Sequence, residues 1–130
     1  MTAPIYATQL RNEIFDDLAE YATQPDAAMS FVEVTATTHT LLLTDAYKVL
    51  LMNNAGAITL TVPPATSVVF DEGVFIEVQQ EGAGVITFAP GAGVTIESRD
   101  DALSTVDQFS VCALRKKPGV DVWALVGDIV

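Results

Sequence analysis

One cysteine, one histidine and six basic residues are all that this 130-residue chain holds of thiols, imidazoles and cationic side chains. Cys112 alone cannot form an internal disulfide. No basic start followed by a long apolar run marks a secretory signal, so synthesis and folding in a reducing cytoplasm are expected. Seventeen acidic residues against six basic ones leave a net charge of −11, which repels phosphate backbones instead of releasing their counterions; nucleic acid is not an expected partner. Charged residues make up only 18% and hydrophobic ones 50%, too apolar a balance for disorder. No run of roughly eighteen apolar residues provides a membrane span, and no membrane partner is expected. A chain of this length fits one domain that buries about two thirds of its unfolded surface in one core.

What is present divides into two unequal parts. In residues 1–30, Pro4 suits a first helical turn, and Ile5, Leu10, Ile14, Leu18 and Tyr21 recur at spacings near three and four, with Glu13, Asp16, Asp17 and Glu20 opposite. This predicts an amphipathic helix over about 4–22, ended by Gln24, Pro25 and Asp26 and followed by a linker. A lone helix of this length is marginal in water, so its stripe must dock on its own domain, on a neighbouring copy or on a larger host surface. Where it docks beyond its own domain, residues 1–30 are expected to serve as an anchor or a subunit-docking arm.

From Phe31 to the end the period becomes two. Val32 and Val34, then Ile58, Leu60 and Val62, then Val74, Ile76 and Val78 each line one side of a strand. "YKVLLM", "FSVCAL" and "VWALV" are apolar on both sides, which requires a place between two layers or contact with another subunit. Gly, Asn, Asp and Pro at 53–56, 81–84, 89–93 and 117–121 read as hairpin turns. About ten strands and no second helical pattern predict an all-β fold over 31–130, a β-sandwich or jelly-roll-like barrel. "NNAGAITLTVPP" and "EGAGVITFAPGAG", 28 residues apart, read as one hairpin solution used twice, since two copies are too few for a solenoid.

Catalytic patterns are sparse. The glycines of 81–93 join strands, and no lysine follows them as in a P-loop. His39 and Cys112 both sit in or beside strands, where a buried thiol packs as a small inert hydrophobe. Asp16 with Asp17, Asp71 with Glu72, and Asp100 with Asp101 are adjacent pairs that point apart; two loop carboxylates specify calcium too loosely to assign a metal. Arg115, Lys116 and Lys117 form the one basic cluster, read as a charged strand end that discourages edge pairing or as a contact for acidic helix residues. No catalytic residue, cofactor or metal ligand is assigned, and the protein is not expected to be an enzyme.

The succession "DAYKVLLMNNAGAITLTVPP", "FDEGVFIEVQQEGAG", "TFAPGAGVTI" and "DVWALVGDIV", residues 44–130, resembles a β-rich module of tailed-bacteriophage virion proteins: capsid decoration or cement proteins, head fibres and tail fibres. The matching positions are structural: Asn53 and Asn54, Pro63 and Pro64, Phe70 and Gly73, Gln79 and Gly84, and Trp123, Gly127 and Asp128. The resemblance implies a virion structural protein, made in the host cytoplasm and placed on the outer capsid surface. There a homo-oligomer, a trimer, would bind the major capsid protein and stabilise the expanded shell. The alternative it implies is a tail-fibre or head-fibre module that binds the host surface, with 99–107 as a candidate loop.

Overall fold

Val, Ile and Thr are stiff at χ1 and pack well on a pleated surface, so the alternating stretches form strands. The computed structural model describes residues 28–130. The helix expected over 4–22, with Ile5, Leu10, Ile14, Leu18 and Tyr21, lies outside the described residues. Nine strands occur among them: β1 (Ser30–Val34), β2 (Thr38–Thr40), β3 (Lys48–Met52), β4 (Ile58–Val62), β5 (Phe75–Gln80), β6 (Ile86–Pro90), β7 (Thr95–Ser98), β8 (Val111–Lys116) and β9 (Val122–Gly127). Short 3-10 turns occupy Leu43–Asp45 and Arg99–Asp101. The all-β class holds for this region. No helix among the described residues is long and apolar enough to cross a membrane.

The strands form a larger sheet in the order β1-β3-β5-β8-β9-β7 and a smaller one in the order β2-β4-β6. Pairing is parallel throughout β1-β3-β5, β2-β4-β6 and β7-β9, and antiparallel only at β5-β8 and β8-β9. The chain therefore alternates between sheets, and β1 with β2, β3 with β4, and β5 with β6 stack as three rungs. This corrects the hairpin reading. Residues 53–56 and 81–84 are arches that carry the chain from the larger sheet to the smaller, and 89–93 carries it back to β7. Only 117–121 joins antiparallel neighbours, β8 and β9. The mostly parallel ladders are also not those of a jelly roll, which is built from antiparallel strands.

The 28-residue similarity is the rung repeat itself. Val49 pairs with Glu77, Ile58 with Ile86, Thr59 with Thr87 and Leu60 with Phe88, each 28 positions apart. The first rung is shorter and carries no such likeness: Ser30 pairs with Lys48 and Thr38 with Thr59. Stacked arches explain the glycines. A Cβ on Gly84 would overlap the carbonyl of Gly56, and the Gly84 amide donates to Asn54 O at 2.8 Å. Asn54 staples three rungs, because its Nδ2 donates to Thr35 O and its Oδ1 accepts from the Gly56 amide, both at 2.8 Å.

Side chains from both sheets meet in one hydrophobic cluster that includes Leu50, Met52, Ile76, Val78, Leu114 and Leu125 from the larger sheet and Ile58, Leu60, Val62, Ile86 and Phe88 from the smaller. Burying each such aliphatic side chain is worth about 1.5–3 kcal/mol, so these facing rows dominate the fold's stability. The third rung is closed. β8 pairs with β5, and residues 103–105 run along β6, with the Phe88 amide donating to Leu103 O at 2.7 Å and the Thr105 amide to Ile86 O at 2.9 Å. The fully buried Gln80 anchors this closure: Thr105 Oγ1 donates to its Oε1, accepts from the Ile86 amide at 2.9 Å, and Gln80 Nε2 donates to Gly82 O at 3.1 Å.

Candidate functional site

Because every second residue of a strand points away from the core, the register fixes what the outer face of the larger sheet presents. Phe31, Val49, Glu77, Ala113 and Val126 form one row across β1, β3, β5, β8 and β9. Glu33, Leu51, Gln79 and Val111 form the next. Phe31 and Val126 are 66% and 58% exposed, and Val111 is also open to solvent. The polar members are partly paired with each other, since Gln79 Nε2 donates to Glu77 Oε2 at 3.0 Å. The opposite outer face, on the smaller sheet, carries Thr38, Thr59 and Thr87 in one row and Thr40, Thr61 and Ala89 in another. The outer face of the larger sheet is thus mixed, its exposed apolar side chains interleaved with Glu33, Glu77, Gln79 and Arg115 while Val49 and Ala113 are buried, and the opposite face is hydroxylated.

The strands apolar on both sides, β3, β8 and β9, all lie in the larger sheet, where one face meets the core and the other is this outer row. The motif residues occupy structural positions. Asn53 extends the ladder, its amide donating to Val34 O at 2.8 Å, and Pro63 is buried just after β4. Phe70 meets Trp123 edge to face, 5.2 Å between ring centroids. Gly73, at φ +88°, donates its amide to Lys116 O at 2.7 Å. Gly127, at φ +114°, lies against Cys112, and Asp128 Oδ2 accepts the Val111 amide at 3.1 Å.

No family model matches this chain, and no curated protein matches it. Its chemistry is therefore read from its own geometry. His39 Nε2 lies 2.9 Å from Oδ2 of the buried Asp45, which also accepts the Leu42 amide at 2.8 Å; the pair braces the return from β2 to β3. Cys112 donates to Val78 O at 3.5 Å in the core. Burial, reinforced by the negative charges of Asp128 and Glu77, pushes its thiol from 9.0 up to about 12, so it stays protonated and unreactive near neutrality. Histidine and cysteine have separate partners. Among the described residues no group of three or more His, Cys, Asp or Glu side chains converges as a metal site.

The basic cluster separates into three roles. Arg115 lies over the Phe75 ring at 5.0 Å, Lys117 Nζ pairs with Glu97 at 3.1 Å, and Lys116 points inward, only 7% exposed, donating to Lys117 O at 2.7 Å and Gly119 O at 2.9 Å. Lys116 holds the hairpin shut instead of facing a partner. Asp100 and Asp101 both adopt positive φ in an exposed turn, with Arg99 3.7 Å from Asp100. Beside them a cavity of about 630 Å³ opens where β7 leaves β9, lined by Arg99, Asp100, Leu125, Val126, Ile129 and Val130.

Sequence reasoning missed three residues of consequence. Gln80 occupies an inward position after Ile76 and Val78, and a polar residue in that phase is itself the signal of a buried network. Asp45 has no periodic signature and is found only through its turn. Phe109 is 68% exposed at φ 69°, a conformation unfavourable for a bulky residue, and nothing in "VDQFS" announces it.

Proposed function

We propose that this chain is a bacteriophage virion structural protein, an oligomeric capsid decoration protein that stabilises the expanded shell, and that its two sheets work as a β-sandwich module. The observation that carries the reading is the outer face of the larger sheet, where Phe31, Val111 and Val126 stay open to solvent among Glu33, Glu77 and Gln79 on a stack of cross-braced rungs. Scattered exposed hydrophobics are ordinary; several large ones interleaved with polar side chains on one sheet face suit association. The resemblance of residues 44–130 to virion modules supplies the partner, the major capsid protein, and the trimer. The fold's bracing residues are spent on rigidity, which fits a protein that acts by binding.

The mechanism is mass action. A protein that binds only the expanded shell stabilises it by RT ln(1 + [L]/Kd) per site, about 3–4 kcal/mol at concentrations hundreds of times Kd. Joining weak contacts in one oligomer raises their effective concentration, so no single contact must be tight. Purified protein added to expanded, undecorated capsids is expected to bind saturably and raise their thermal stability. Phe31→Glu, on the outer row and outside the cavity, is expected to weaken oligomer formation and capsid binding while the monomer stays folded. Intact oligomer that ignores such capsids at near-cytoplasmic salt refutes the decoration reading.

A second reading is favoured by the cavity at Arg99 and Asp100, which falls in the loop 99–107. A mixed polar and apolar cleft of this size accommodates a small sugar or peptide, as a head-fibre or tail-fibre module that grips the host surface requires. Saturable binding to host cells, abolished by changes at Arg99 and untouched by Phe31→Glu, would favour this reading over decoration.

A further inference from the structure

Phe109 holds a left-handed backbone conformation that is costly for a bulky side chain, yet most of its ring stands in water, so the core does not explain the cost. Its loop is nevertheless firmly held. The Phe109 amide donates to O of the fully buried Gln80 at 2.6 Å, and the Gln80 amide donates to Ser110 O at 3.0 Å. The Asp107 amide donates to Ser110 Oγ at 3.0 Å, and Gln108 Nε2 donates to Glu81 O at 2.9 Å. An aromatic side chain offered outward on a braced loop loses little freedom when it is covered, which is what an interface anchor requires. The cleft of about 630 Å³ where β7 leaves β9 has the complementary chemistry. Leu125, Val126, Ile129 and Val130 supply apolar walls, and Arg99 stands at the rim. The Arg99 side chain is 93% exposed and 3.7 Å from an equally open Asp100, a pairing too wet to hold it.

We propose that Phe109 of one copy fills this cleft on the next, joining copies head to tail, with Arg99 at the rim turned to the carboxylate of the incoming Asp107. The inference rests on the oligomer of the decoration reading and names the contact that builds it. Charge favours the match: Asp107 flanks the knob and Arg99 flanks the hole. The ring does not line its own cleft, because its loop is tied to β5, and β8 and β9 lie between β5 and β7 in the larger sheet. Knob and hole are different patches of one chain, so the contact is heterologous, and a heterologous contact closes into a ring where its rotation permits. A closed trimer uses every knob and fills every cleft. The contact is continuous with the outer face of the larger sheet, since Val126 belongs to both and Val111 follows the loop directly. A cleft filled by a neighbour is closed to a host sugar or peptide, so it serves the oligomer or the fibre reading and not both.

The test uses the full chain in the absence of capsids. A photoreactive benzoylphenylalanine placed at position 109 is expected to cross-link, on irradiation, to the cleft walls at 125–130 of a second copy, and mixing isotopically light and heavy chains shows that the link joins two molecules. Phe109→Ala is expected to weaken self-association in sedimentation experiments by about thirtyfold or more, the loss of one anchor side chain, with hydrogen exchange at Gln80 unchanged. Val120→Ala, 84% exposed in the turn between β8 and β9, is expected to leave association as it is. Cross-links within one chain, to residues 1–27 or to any surface other than the cleft overturn the proposal. So does unchanged association of Phe109→Ala, or a wild-type chain that stays monomeric at high micromolar concentration. The cross-links alone decide the matter where Phe109→Ala does not fold. An oligomer joined through the cleft that ignores expanded capsids refutes decoration and leaves this contact standing, whereas a capsid-binding oligomer cross-linked elsewhere does the reverse.

Discussion

Gly56 and Gly84 occupy equivalent positions in the 28-residue repeat, yet their substitution by alanine should have opposite consequences. Neither has a positive φ, so alanine is conformationally allowed at both. At Gly84 the new Cβ would overlap the Gly56 oxygen and sit 2.6 Å from the Gly56 carbonyl carbon and 2.7 Å from Asn54 O, all backbone atoms of the arch beneath. The arches must separate, at about 1–3 kcal/mol for a forced backbone shift. The 2.8 Å hydrogen bond from Gly84 to Asn54 weakens with it, costing about 1 kcal/mol more. At Gly56 the nearest atoms are Asn54 Oδ1 at 3.4 Å and Thr37 Cγ2 at 3.9 Å, because the first rung's arch is shorter. Alanine there removes freedom mainly from the unfolded chain, a stabilisation of about 0.4–1 kcal/mol. Urea denaturation followed by the fluorescence of Trp123, the only tryptophan, should therefore show Gly84→Ala losing about 2–4 kcal/mol in total. For a chain of this size that lowers Tm by about 7–15 °C. Equal effects at the two glycines would refute stacked arches and restore two independent local turns.

Trp123→Ala should cost about 3–5 kcal/mol, since the ring is 1% exposed and packed edge-on against Phe70; a loss under about 1 kcal/mol by the same titration would contradict its burial. Thr105→Val removes the donor to the buried Gln80 Oε1 and should cost about 1–3 kcal/mol, with faster exchange at the Ile86 amide. Cys112 should resist iodoacetamide at pH 8.5 in the native protein and react once urea unfolds it. Its folded pKa is raised, so the protection it contributes is whole below pH 9.0 and declines as pH rises from there towards about 12. The decline is on the order of 4 kcal/mol relative to Cys112→Ala.

The faces of individual strands were legible in the sequence, because period two is a local property: Ile58, Leu60 and Val62 are buried while Thr59 between them is exposed. Pairing was not. Gly and Asn serve a hairpin that folds back within one sheet and an arch that crosses to another, and the local chemistry at 53–56 is the same in both. The spacing of 28 was the one signal that separated them, and it was visible. It misled because the first rung, with arch and return of different length, shares the backbone path but not the side chains. Lys116 shows a related limit: three consecutive basic residues read as one patch, yet on a strand the middle one must face the other way. The outer face of the larger sheet was half legible, through strands greasy on both sides whose adjacency only the sheet order reveals.

The antiparallel lid over the third rung has a consequence for how the protein is born. Val78 finds Cys112 only 34 residues downstream. At about 5–20 residues per second the ribosome needs roughly 2–7 seconds to supply that stretch. During that interval β5 and β6 already exist in the chain while the segments that close them, β8 and residues 103–105, are still being made. Chains truncated just before Val111 and released from the ribosome should therefore be sticky, and the full chain should not.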